Sequence, residues 1–70
     1  MRSDELLRHL RRRATRLGLA HREMEAKGSH LKLRHGPGQT VIPMHRGDLP
    51  PGTFRSILKQ LGLTQQDLEE

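Results

Sequence analysis

The stretch Lys27-Gly28-Ser29-His30-Leu31-Lys32-Leu33-Arg34 decides how this chain is read. A glycine turn leads into residues that alternate with a period of two. Leu31 and Leu33 then share one face of a strand, and His30, Lys32 and Arg34 share the other. The spacing predicts a strand over residues 29–35, with Lys27-Gly28 as the tight turn of a hairpin. One histidine stands between cations on a face that apolar packing does not claim.

Upstream, residues 19–26 alternate more weakly. Leu19 and His21 share one parity; Ala20, Arg22, Met24 and Ala26 share the other. Glu23 and Glu25 suit an exposed face, and a strand is predicted. Downstream, His35-Gly36-Pro37-Gly38-Gln39 reads as a loop because of its glycines and proline. A third strand is predicted over 40–44, with Thr40, Ile42 and Met44 on one face and Val41, Pro43 and His45 on the other. Pro43 lacks an N–H and belongs at an edge or a strand end.

Helices flank these strands. Ser3 is placed to cap the first, with Asp4 and Glu5 in its opening turn. Leu6, Leu7, Leu10, Ala14 and Leu17 recur at helical spacing up to Gly18. After the loop Arg46-Gly47-Asp48-Leu49-Pro50, Pro51 opens a second helix whose Phe54, Ile57, Leu58 and Leu61 form an apolar stripe. Gly62 ends it, and Thr64 with Asp67 marks a short final turn. The reading is one α+β domain over residues 1–70: helix, three-stranded antiparallel meander, helix, with both helices on one face of the sheet.

At 70 residues with 31% hydrophobic side chains and Phe54 as the only aromatic, the core is thin. The net charge of +5 is uneven: residues 1–46 carry +7 and residues 47–70 carry −2. A basic N-terminal two-thirds favours a polyanion or an acidic protein surface as partner. The absence of cysteine excludes disulfides and thiolate chemistry. The apolar runs are too short to span a membrane or to serve as a secretory signal, which points to a cytoplasmic protein.

The open face suits phosphodiester cleavage of RNA, which carries its own nucleophile in the 2′-hydroxyl. His30 is the candidate base and Lys32 or Arg34 the phosphate holder. If the third strand follows the same partition, His45 shares that face as a second candidate acid/base. Arg11, Arg12 and Arg13 with Arg16 form a basic helix surface able to position phosphates. His9 and His21 read as surface residues, and His35 as a solvated start of a loop. His30, His35 and His45 show no metal-ligand spacing, so no metal is expected.

Gly28-Ser29-His30, then Val41-Ile42-Pro43-Met44-His45, then Gly52-Thr53-Phe54-Arg55-Ser56-Ile57-Leu58-Lys59-Gln60-Leu61-Gly62-Leu63 resemble the HicA-type toxins, in order over nearly the whole chain. The resemblance implies a double-stranded-RNA-binding-domain-like fold. It implies an mRNA endonuclease that needs neither ribosome nor metal and is neutralised by a HicB-type antitoxin, with no membrane or DNA partner of its own. It makes His30 the catalytic residue. The basic face and turn around it, Lys27, Ser29, Lys32 and Arg34, and the helix cluster Arg11, Arg12 and Arg13 are read from their charge and placement as RNA-binding residues. The family often carries aromatics in the first strand and soon after Gly-Ser-His; here Leu31, Lys32 and Leu33 fill the latter positions. Charge must therefore carry more of the binding than base stacking does. Two other readings fit the same residues: a non-catalytic RNA-binding module, and a basic surface that docks an acidic protein.

Overall fold

A computed structural model describes residues 1–44 and 46–69. His45, expected on the outward face of the third strand, lies outside the described residues. The order is α1 (Ser3–Leu17), β1 (His21–Glu25), β2 (His30–His35), β3 (Gly38–Pro43), α2 (Pro51–Leu61) and α3 (Gln65–Glu69). The strands form one antiparallel sheet in the order β1-β2-β3. This is the expected α+β layout, helix–three strands–helix, with the short α3 added where Thr64 and Asp67 were read as a cap. The Thr64 N–H donates to Asp67 Oδ2 at 2.7 Å, and the Asp67 N–H to Thr64 Oγ1 at 3.3 Å.

The core forms where the apolar stripes of the helices meet one face of the sheet. Leu6, Leu7 and Leu10 of α1, Leu33 and Ile42 of the sheet, and Ile57, Leu58 and Leu61 of α2 are buried together with Leu49 and Leu68. Each large side chain buried this way contributes about 1.5–3 kcal/mol. Gly18 and Gly62 end α1 and α2 in the left-handed conformation, at φ 66° and 71°.

Three local expectations are corrected. Ser3 does not cap α1. It is the first helical residue, buried, and its hydroxyl donates to the Pro43 carbonyl at 2.6 Å. The stretch 35–39 is not a loop: His35 pairs with Gly38, leaving only Gly36-Pro37 as the turn. Gly36 at φ 56° supplies the positive φ that a two-residue hairpin needs at its first position. The first hairpin turn holds three residues, Lys27-Gly28-Ser29, and closes where the Ala26 N–H donates to the His30 carbonyl at 3.2 Å.

That closure sets the register, and the register overturns the orientation expected for β1. Glu23 pairs with Leu33 and Glu25 with Leu31, so the acids lie on the helix-facing side. Arg22 and Met24 lie opposite Arg34 and Lys32 and face outward.

Candidate functional site

The outward face of the sheet is built in rows across the strands. His30 lies opposite Pro43, Lys32 between Met24 and Val41, and Arg34 between Arg22 and Gln39. Successive rows are about 7 Å apart along β2. Among the described residues no element covers this face. His30, Lys32, Arg34, Arg22 and Gln39 are all exposed, and Met24 and Val41 keep 38% and 45% of their surface in solvent.

Parity places charge of one sign here. Arg22, Lys32 and Arg34 point outward, while both strand carboxylates, Glu23 and Glu25, belong to the other face. Arg22 and Arg34 are direct cross-strand partners. Like charges so placed repel unless an anion lies between them. His30 heads the column, immediately after the exposed turn residues Lys27, Gly28 and Ser29. The Met44 N–H donates to the Ser29 carbonyl at 2.6 Å, and Ser3 holds the Pro43 carbonyl, so the backbone beside His30 is tied to β3 and α1.

The sequence-predicted residues therefore divide. Lys27, Ser29, His30, Lys32 and Arg34 come together on the open face and its bordering turn. Arg11, Arg12 and Arg13 lie on α1, across the sheet. Arg11 grips Glu23 with two bonds, Nη2 to Oε1 at 2.6 Å and Nε to Oε2 at 2.7 Å. This pairing and its hydrogen bonds hold the Glu23 carboxyl at about 2, well below the ordinary value. Arg12 is exposed on the far side. Arg22 was missed as an open-face cation because β1 was read with the opposite orientation.

A second histidine cluster sits on the covered face. His35 shares the parity of Leu31 and Leu33 and is 1% exposed, so the expectation that it is solvated is overturned. Its Nδ1 meets Nδ1 of His21 at 3.1 Å, and its Nε2 meets Nη1 of Arg13 at 3.0 Å. His21 Nε2 reaches Glu23 Oε2 at 2.8 Å, so His21 is not a free surface residue either. Burial, then the nearby His21 and Arg13, push the His35 imidazole below its usual range. His30 and His35 thus point to opposite faces and cannot share a ligand. Among the described residues no cluster of three His, Asp or Glu side chains is placed to hold a metal ion. No helix among them is long and apolar enough to cross a membrane.

A family model described as the HicA toxin of bacterial toxin–antitoxin systems matches residues 8–63. No curated protein matches the chain. The match takes in most of the arginine-rich helix, all three strands and the whole of α2, and on it the chain belongs to the HicA toxin family.

Proposed function

We propose that this toxin is an mRNA endoribonuclease with His30 as its catalytic residue, neutralised by a HicB-type antitoxin. The observation that carries the reading is the open sheet face: one exposed imidazole at the head of a column of cations, with no strand carboxylate beside it. An acid among these cations would compete with phosphate for them; its absence favours a polyanion.

The chemistry asks for three tasks. A base takes the proton of the ribose 2′-hydroxyl. The 2′-oxygen then bonds to phosphorus while the bond from phosphorus to the 5′-oxygen breaks. A cation stabilises the added phosphate charge, and an acid protonates the departing oxygen. His30 serves as base, and Lys32, one row along, holds the phosphate. Arg34, Arg22, Lys27 and Ser29 position the neighbouring backbone. His45 is proposed as the acid. None of these tasks calls for a metal ion. In the toxin–antitoxin pair, the antitoxin covers the same face and excludes RNA.

The test is cleavage of a defined RNA by purified protein with EDTA present. His30→Ala is expected to abolish cleavage and growth inhibition while circular dichroism and melting temperature stay as in the wild type. Equal cleavage by the variant would overturn the role of His30. Intact RNA with a retained gel shift in the wild type would instead establish a non-catalytic RNA binder.

A further inference from the structure

On the β3 side of the open face, a groove of about 330 Å³ runs between the sheet edge and the end of α2. Lys32, Gln39, Thr40, Val41 and Gln60 line it. We infer that this groove receives a nucleobase of the RNA, read by the side-chain amides of Gln39 and Gln60, and so sets the sequence preference. The inference rests on the proposed RNA cleavage and deepens it.

Three features commit the groove to a base of the bound strand. The first is continuity with the phosphate site. Lys32 belongs both to the outward column and to the groove wall, and Val41 is its direct partner across β2 and β3. Their pairing lies between the ladder bonds made by Leu31 and Leu33, where facing Cα atoms approach to about 4.5 Å. A phosphate on Lys32 therefore brings its own nucleoside to the groove mouth. The groove lies one row, about 7 Å, from His30, which puts the base next to the reacting linkage.

The second feature is the pairing of the polar groups. The Thr40 hydroxyl donates to Gln60 Oε1. That bond fixes the amide plane and leaves its NH₂ as the group on offer. Gln39, opposite Arg34 on the outward face, supplies a second amide with both donor and acceptor. Two amides around an apolar wall can match the donors and acceptors of a base edge, as glutamine does in reading adenine. A phosphate needs cations instead and makes no use of the acceptors.

The third feature is the lack of an aromatic platform on the sheet. The only aromatic of the chain is Phe54, packed against the core on the helix side. The sheet offers a base no Phe, Tyr or Trp to stack on, so more of its recognition falls to a recess. Val41, 45% exposed, gives that recess its apolar side.

Cleavage-site profiling on a randomised RNA tests the assignment, with two variants that avoid the core. Gln39→Ala removes one reader from an exposed position. Gln60→Glu keeps an oxygen to accept the Thr40 hydroxyl but replaces the donor with a carboxylate. Wild-type cleavage sites are expected to show a base bias next to the cut. Gln39→Ala should flatten it by about tenfold, the usual worth of one good base contact. Gln60→Glu should shift the bias toward bases that present amino groups. An unchanged bias in both variants would overturn the inference. The side-chain amide NMR signals of Gln39 and Gln60 separate this from failure of the catalytic reading. If short homo-oligoribonucleotides move those signals without being cut, the groove stands and catalysis falls. If oligonucleotides leave them unmoved, or only an added protein partner moves them, the groove is not a base site.

Discussion

Nδ1 of His21 and Nδ1 of His35 face each other at 3.1 Å, with the two rings edge to face at 87°. Only one arrangement of protons satisfies this pair. Arg13 can only donate, so His35 Nε2 accepts and His35 carries its proton on Nδ1. That proton goes to His21 Nδ1, and His21 donates from Nε2 to Glu23. Donation runs in one direction from Arg13 on α1 to β2, then to β1, and Arg11 closes the path back to α1 at Glu23. A further proton on either ring sets two donors against each other.

Acid should therefore loosen the fold in two stages. His35 binds its proton less readily when folded, so its contribution is fully present above about pH 6.5, the unfolded value. It is lost as the pH falls from there toward the lower folded value. Around it stand Arg13 and Arg11 of α1, His21 and Glu23 of β1, and Asp67 of α3 next to Arg13. Glu23 acts at lower pH: its contribution is present above about 4.3, the unfolded carboxyl value, and disappears as the pH falls toward about 2. Urea unfolding at pH 7.5 and pH 5 should show lower stability at pH 5 in the wild type. His35→Gln should be less stable at both and show a much smaller difference between them. An equal difference would assign the effect to another group.

Arg11→Ala should destabilise the fold by about 1–2 kcal/mol, more than a typical exposed pair because the contact is two-pronged. Glu23→Gln should cost at least as much, because His21 loses its charged acceptor. In a double-mutant cycle, thermal melting should show that the two losses do not add.

Gly38 has no room for a side chain. A Cβ there would lie 2.8 Å from the Leu61 Cα and 3.1 Å from its carbonyl oxygen. Backbone stands in the way, so relief requires α2 to lift from β3. Gly38→Ala should cost about 1–3 kcal/mol. In a domain of this size that lowers the melting temperature by about 4–8 °C for each kcal/mol. Gly52→Ala, with open space around it, is the matched control.

With no aromatic platform on the sheet, RNA affinity should fall steeply with salt. If Arg22, Lys27, Lys32 and Arg34 each neutralise one phosphate of a single strand, the log–log slope should be about −3, and Lys32→Ala should reduce it by about 0.7. Fluorescence anisotropy from 50 to 300 mM salt, as is usual for such slopes, measures both. Measured separately, Arg12→Ala should change affinity for a short oligonucleotide less than Lys32→Ala does.

The sequence carried the helices because their apolar stripes and glycine stops agree. It carried the outward column because Leu31 and Leu33 leave no doubt which face of β2 is buried. The same parity, run on two residues further, puts His35 beside Leu33, but the Gly-Pro-Gly tract that follows makes His35 read as the solvated start of a loop. In β1 the carboxylates misled. Glu23 looks like a solvent residue until the arginine that neutralises it is known, and that arginine is on another element. The groove was out of reach for a related reason: Gln39 and Gln60 are far apart in the chain and line one groove only because Gly38 lets α2 press against the sheet.

The sheet keeps two ledgers apart. Its covered face carries the leucines, the histidine relay and the Arg11–Glu23 clamp; its open face carries His30 and the cations of the proposed chemistry. A change in the first kind of residue lowers stability, while a change at His30 is expected to leave a well-folded chain without the proposed cleavage. A cell harmed by this gene thus has a quiet route to relief: one codon altered on the open face, with the expressed protein still able to occupy whatever binds its intact surfaces. Silenced copies of such a gene should be sought among full-length, foldable sequences as well as among truncated ones.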